Sequence, residues 1–263
     1  MRIAAVQFAP VFGRPDRNLQ CALALMKKAS ADLYVLPELP FSGYFFSDRD
    51  ECARLAEDPQ RSPAVAALIA FARRRKAAIV TGFTELAASG VYNSALFIGP
   101  DGIEATYRKL HLFNSEKNYF DVGNLPLPVV EFGGARIGVM VCFDWALPEA
   151  SRTLALAGAQ IICQPANLVL DKCQRAMFAR SVENGVFTVT ANRSGSDIRP
   201  FGKLSFTGLS QIMAPNGERL VQASEDADEI VLADIDPAVA DCKMITSTNH
   251  LLADRRPAYY RIY

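Results

Sequence analysis

The feature that most constrains the fold is a nearly unbroken apolar run, Arg136-Ile-Gly-Val-Met-Val-Cys142, followed by Phe143-Asp144-Trp145-Ala-Leu-Pro148-Glu149. A run of that length without polar alternation fits a strand buried on both faces, which places its sheet between other layers. Pro148 suits the first turn of a helix, where a missing N–H costs nothing. From Glu149 onward Leu154, Leu156 and Ala157 follow helical spacing. Cys142 is therefore expected where a buried strand opens toward a helix start. α/β folds present reactive groups at such positions, and backbone N–H groups there can stabilise an anion. The alternative is a core cysteine, since free cysteines usually pack as small hydrophobes.

Strand and helix patterns alternate through the rest of the chain. Strands are predicted at Ile3–Phe8, Asp32–Leu36, Ala77–Phe83, Gln160–Pro165, Val186–Ala191 and Glu229–Ile235. Helices are predicted at Asp16–Lys28, Ser62–Arg75 and Gln174–Glu183. Two hairpins are expected, Asn93–Ile98 with Ile103–Arg108 around Gly99-Pro-Asp-Gly102, and Leu209–Ala214 with Glu218–Gln222 around Pro215-Asn-Gly217. The order repeats: Arg136–Cys142 echoes Arg2–Phe8, Gln160–Pro165 echoes Leu33–Pro37, and the second hairpin echoes the first. This predicts two similar α/β halves packed as one domain over residues 1–245.

With 263 residues, half of them hydrophobic and 21% charged at zero formal net charge, the chain can bury one sizeable core. It carries no electrostatic footprint for nucleic acid or an anionic membrane. No apolar segment approaches the roughly 20 residues of a membrane span, and the N-terminus lacks the long apolar stretch of a signal peptide. Six cysteines without CxxC spacing argue against a disulfide framework and for a cytoplasmic location. With only two histidines, no metal site is expected, and nothing calls for a cofactor.

Three side chains stand at comparable strand ends: Glu38, Lys109 and Cys142. A carboxylate directly after a buried strand needs a partner, because it loses hydration. A thiol becomes a good nucleophile only when a base or a nearby positive charge favours the thiolate. Glu38 in a semi-apolar pocket could be that base, and Lys109 beside the Phe143 N–H could hold an oxyanion. Such a set suffices for acyl transfer through a thioester. His111 raises a Cys–His dyad as a rival, although no orienting acid is evident in the sequence. Phe41-Ser-Gly-Tyr-Phe-Phe46 supplies aromatics for an apolar pocket or for the core. Cys21 and Cys163 read as core cysteines, and His250 as a surface or docking residue.

Leu36-Pro-Glu38 before Gly43-Tyr44, Tyr107-Arg-Lys109-Leu-His-Leu-Phe113 with Glu116, and Val141-Cys142-Phe-Asp144 with Pro148-Glu149 resemble the motifs of the carbon–nitrogen hydrolase (nitrilase) superfamily. Pro165-Ala-Asn167, Glu183-Asn184 and Ala191-Asn192-Arg193 match its later blocks, so the resemblance spans nearly the whole chain. It implies an α-β-β-α sandwich and a homodimer or higher even oligomer. It also implies a Glu38–Lys109–Cys142 triad of base, oxyanion stabiliser and nucleophile, with Glu116 as the second glutamate. The tail, residues 246–263, would dock on the subunit interface. Phe143-Asp144 is the pattern of the amidase and carbamoylase branches, while Cys142-Phe-Asp-Trp145 and Pro165-Ala-Asn-Leu-Val169 also resemble short archaeal-type nitrilases of small aliphatic nitriles. The expected reaction is hydrolysis of a small amide or N-carbamoyl compound, with nitrile hydrolysis as the alternative. A non-catalytic binding relative and an N-acyltransferase are the remaining readings. Tyr44, Phe113, Phe143, Trp145, Asn167 and Arg175 are the candidate substrate contacts. Arg175 would pair either a substrate carboxylate or one within the protein.

Overall fold

The computed structural model describes residues 1–260. Its first half runs β1 (Arg2–Gln7), α1 (Pro15–Lys27), β2 (Leu33–Val35), α2 (Arg49–Leu55), α3 (Pro63–Arg75), β3 (Ala78–Ala87), β4 (Gly90–Gly99) and β5 (Gly102–Arg108). The second runs β6 (Val129–Phe132), β7 (Ala135–Val139), α4 (Pro148–Leu156), β8 (Ile161–Ala166), α5 (Lys172–Asn184) and β9 (Phe187–Asn192). It continues through β10 (Ser196–Arg199), β11 (Gly202–Ser205), β12 (Gln211–Met213), β13 (Arg219–Gln222) and β14 (Glu229–Asp234).

Two six-stranded sheets result, ordered β14-β1-β2-β3-β4-β5 and β6-β7-β8-β9-β12-β13. Read in those directions their pairing senses are identical: antiparallel, parallel, parallel, antiparallel, antiparallel. The duplication expected from turn chemistry is therefore a duplication of topology. One difference locks the halves together: the edge strand of the first sheet is β14, supplied from the far end of the chain.

Alternation along the strands sorts the layers. Ile3, Ala5, Leu33, Val35 and Val80 share a cluster with Ile137, Val139, Cys163 and Val189 between the sheets. Ala4, Val6, Tyr34, Leu36 and Ile79 instead pack under Leu25 and Met26 of α1 and Leu68 and Phe71 of α3. The helices α4 and α5 cover the other sheet, against β7 and against β9 and β12. The fold is thus an α-β-β-α sandwich. Helix starts follow the sequence signals: Ser62 accepts from the Val65 N–H ahead of α3, and Pro15, Pro63 and Pro148 occupy first turns.

Two expectations need correction. The run to Cys142 is strand only as far as Val139, because the chain turns into a 3-10 segment over Cys142–Ala146 before α4. Cys21 is only half-buried, its sulfur facing Asp228, whereas Cys163 is fully buried. Ahead of the tail, Lys243 Nζ donates to the carbonyls of Asn184 (3.0 Å) and Gly185 (2.7 Å) at the end of α5. His250 caps a turn within the tail, accepting from Leu252 and Ala253 N–H. Tyr259 and Tyr260 remain exposed, and the last three tail residues, Tyr263 among them, lie outside the described residues.

Parallel strands β2 and β8 end at the same edge of the sandwich, where the Glu38 N–H approaches the Ala166 carbonyl at 3.5 Å. This close approach requires Gly82 on the neighbouring strand. A Cβ there would lie 2.5 Å from Glu38 Cα and from Leu39 N, both backbone atoms that cannot swing aside. Gly82→Ala should therefore lower stability by about 1–3 kcal/mol, as overpacking does, and displace Glu38. Denaturant melts check the first effect; a stability equal to wild type would mean that the backbone at Glu38 yields freely.

Candidate active site

Glu38, Lys109 and Cys142 come from three strand ends on one edge of the sandwich. Glu38 follows β2, Lys109 follows β5, and Cys142 lies just beyond β7. All three are buried, as is Glu116 from the 3-10 segment Asn114–Asn118. Lys109 Nζ donates to Glu38 Oε1 at 2.7 Å and to Glu116 Oε1 at 2.8 Å. Asn93 Nδ2 donates to Glu38 Oε1 at 2.7 Å, and Tyr44 OH donates to Glu116 Oε1 at 2.5 Å. The Phe113 N–H reaches Glu116 Oε2 at 3.2 Å. Of the four carboxylate oxygens, Glu38 Oε2 alone is buried without a hydrogen-bond partner.

These contacts decide the charge states. Burial penalises the Lys109 ammonium, but attraction to Glu116 and Glu38 outweighs it and holds the pKa well above the ordinary 10.5. Burial raises the Glu116 carboxyl, with the Lys109 charge opposing the shift. Cys142 is also raised well above 9.0, first by burial and then by the Glu38 charge, with Lys109 acting the other way. The resting sulfur is a thiol, so attack requires a base close at hand.

The turn at Cys142 is held in a strained conformation. Its φ of 41° is in the left-handed region that non-glycine residues rarely adopt. Gln164 Nε2 donates to the Cys142 carbonyl at 2.8 Å, and Asp144 Oδ2 accepts from the Val141 N–H at 2.8 Å. Asp144 Oδ2 also accepts from Tyr107 OH at 2.8 Å, which ties the turn to β5 two residues before Lys109. His111 Nδ1 lies 2.7 Å from Asp144 Oδ1. An orienting acid for His111 therefore exists. It belongs to a brace around the turn, since the same Asp144 accepts from the Val141 N–H and from Tyr107 OH.

An open cleft leads to Cys142, and Phe113, Phe143, Trp145, Asn167, Leu168, Val169 and Leu170 form its walls. Four of the six residues expected at the substrate are brought there. Tyr44 is not in the wall; it sits beneath Glu116, with its backbone N–H donating to Asp197. Arg175 faces solvent on α5 and binds Asp171 Oδ2 at 2.7 Å, because Cys173, Gln174 and Met177 make up the buried side of that helix. The arginine satisfies a carboxylate within the protein. Residues the sequence reading passed over include Asn93, an unremarked polar residue on a buried strand, and the Arg193–Asp197 pair. Arg193 is fully buried, stacks 3.9 Å from the Phe206 ring centroid and bonds Asp197, which accepts from the Tyr44 and Phe45 N–H groups. The only advance signal for Arg193 was its place in the Asn192-Arg193 block.

The carbon-nitrogen hydrolase profile matches residues 2–243. The chain belongs to the carbon–nitrogen hydrolase family. It is 42% identical over 263 residues, 99% of each chain, to a nitrilase of Pyrococcus abyssi. It is 34% identical to an (R)-stereoselective amidase of a Pseudomonas species, covering 90% of this chain and 86% of that one. Among solved structures it resembles a variant amidase of Nesterenkonia sp. AN1 at a TM-score of 0.83 and 28% identity, covering 98% of this chain and 94% of that one. In that structure the acetamide moiety of fluoroacetamide is covalently added at the active-site cysteine. The chain is accordingly a carbon–nitrogen hydrolase of the amidase/nitrilase type.

The His111–Asp144 contact gives this hydrolase a pH-dependent brace. Hydrogen bonding to Asp144 raises His111 above its ordinary 6.5. A raised folded-state pKa means that the contribution is fully present below pH 6.5 and disappears as pH rises through the raised value. The side chain is 34% exposed, so the effect is small. In melts from acid to alkaline pH, wild type should exceed His111→Gln most below pH 6.5. A difference that is constant across the range would exclude an ionised His111 from the brace.

Proposed function

We propose that the protein hydrolyses a small uncharged amide through a thioester on Cys142, releasing ammonia and a carboxylic acid. The observation that carries this reading is the asymmetry of Glu38. One carboxylate oxygen is occupied by Lys109 and Asn93, while the other is free to take a proton beside the thiol. Glu38 removes the thiol proton as the sulfur attacks the amide carbon. Lys109 Nζ and the Phe143 N–H hold the oxyanion. The Cys142 proton, now on Glu38, passes to the departing nitrogen, and ammonia leaves. Water then gives a proton to Glu38 and attacks the thioester; collapse releases the acid and restores the thiol. Glu116 and Tyr44 keep Lys109 in place, and Phe113, Phe143, Trp145 and Asn167 receive the acyl group.

Nitrile hydrolysis is the second reading, favoured by the full-length likeness to the nitrilase of Pyrococcus abyssi. Attack on the nitrile carbon would give a thioimidate, which adds water and loses ammonia to reach the same thioester. The assembly we infer is a homodimer or higher even oligomer. Leu156 on α4, Phe178 on α5, Met244 and Ile245 before the tail, and Tyr259 and Tyr260 within it expose apolar surface that a second copy would cover, and α4 and α5 also pack against the Cys142 turn. The tail from residue 246 would then lie at the subunit interface. Removing residues 254–263 should weaken that assembly and activity together; a fully active monomer in light scattering at assay concentration would sink the coupling.

Ammonia release from a panel of small amides and nitriles separates amidase, nitrilase and non-catalytic readings. Cys142→Ala and Cys142→Ser should abolish it without changing the melting midpoint, while Cys163→Ala retains it with some loss of stability from a small cavity. Lys109→Ala should lower turnover on the order of 10²–10³-fold, the usual cost of one oxyanion donor. Turnover at the wild-type rate in the Cys142 variants would overturn the nucleophile assignment.

A further inference from the structure

Three buried polar side chains around Cys142 have atoms without a partner in the protein: Glu38, Asn93 and Asn167. The first two present acceptors on the Lys109 side, and the proposed reaction uses that side. Asn167 differs. It is 3% exposed, lines the cleft, and neither Oδ1 nor Nδ2 of its carboxamide is hydrogen-bonded. It shares that cleft with Cys142 and Phe143. Around it the wall is otherwise apolar, with Leu168, Val169, Phe113 and Trp145, and no charged side chain contributes.

From this we infer that Asn167 is a specificity residue that reads a second, uncharged carboxamide on the acyl part of the substrate. The inference rests on the proposed amide hydrolysis and narrows its substrate class to small dicarboxamides or their half-nitriles. A buried carboxamide that keeps both a donor and an acceptor free is complemented by a group offering an acceptor and a donor side by side. A substrate carboxamide does this edge to edge: its carbonyl accepts from Nδ2 while its N–H donates to Oδ1. The scissile amide is not that group, because its oxygen is directed to Lys109 and the Phe143 N–H and its nitrogen to Glu38. A carboxylate could accept but not donate, and it would enter a wall without a counter-charge. An apolar acyl group would leave both ends of Asn167 buried and unpaired, which is how polar sites reject isosteres that lack the polar group.

The test uses two isosteric pairs, malonamide with 3-methylbutanamide and succinamide with 4-methylpentanamide, so that either reach from the reacting carbon is covered. Binding to the Cys142→Ala protein is followed by ligand-observed NMR, and ammonia release is measured with wild type. One diamide should bind about 5–50-fold more tightly than its apolar isostere, the range expected for two buried hydrogen bonds. In Cys142→Ala/Asn167→Leu that preference should vanish, with the apolar isostere bound as well as before or better; a merely structural asparagine would lose both partners of the pair alike. Equal binding within both pairs, or equal loss within a pair on adding Asn167→Leu, overturns the inference. So does release of ammonia by wild type from other amides while neither diamide binds. Failure of wild type to release ammonia from any amide or nitrile refutes the proposed hydrolysis instead.

Discussion

The arrangement depends on one buried ammonium. Lys109 sits between two carboxylates in a site from which water is largely excluded, and each charge there would be costly alone. Together they hold one another: Lys109 neutralises part of the carboxylate charge, and Asn93, Tyr44 and the Phe113 N–H supply the remaining donors. Removing the lysine would leave two carboxylates facing each other without a counter-charge, a loss of about 3–5 kcal/mol for a broken buried pair. The cluster is therefore a structural commitment as well as a chemical one. The strand ends at Glu38 and Lys109 and the segment at Glu116 are pinned by the same contacts.

The Cys142 turn belongs to the other half of the sandwich, so something must fix it against that cluster. Asp144 does so, receiving Val141 N–H from its own turn and Tyr107 OH from β5. Its carboxylate bridges the sheets within a few residues of both Cys142 and Lys109. A left-handed φ at a non-glycine residue persists only where surrounding contacts overdetermine it. Asp144 and Gln164 provide those contacts from opposite sides.

Much of this was readable in the residues, for physical reasons that differ by element. Strands buried on both faces announce themselves as uniform apolar runs, and Asp-Gly and Asn-Gly turns mark the β4–β5 and β12–β13 hairpins. The halves can therefore be matched from the residues alone. Glu38 was conspicuous because a carboxylate after such a strand has to be paired. Missing from that reading was α2, whose charged sequence Arg49-Asp-Glu-Cys-Ala-Arg-Leu55 has too few apolar positions to show a period. The β10–β11 hairpin was missed as well, since its turn lies in Pro200-Phe201 without a strong signal. Asn93 and Arg175 show the other limit. Whether a polar side chain on a known element faces the site or the solvent depends on packing between halves, which no local pattern encodes. For Asp144 the motif was visible, but its link to Tyr107 and His111 exists only once β5 and the turn have met.

The return of β14 to pair with β1 has a consequence for how this chain is made. Residues Arg2–Gln7 leave the ribosome well before their antiparallel neighbour, Glu229–Asp234. Until that neighbour arrives, β1 is an open edge with unpaired N–H and C=O groups, a template for pairing with other chains. The first α/β half cannot finish its sheet on its own during synthesis, although its parallel core and both covering helices are already present. Contacts of such sequence separation slow folding, because the loop must close before they stabilise anything. The strand that joins the two halves thus also makes the nascent first half an aggregation-prone intermediate, and its own arrival is the event that seals the first sheet.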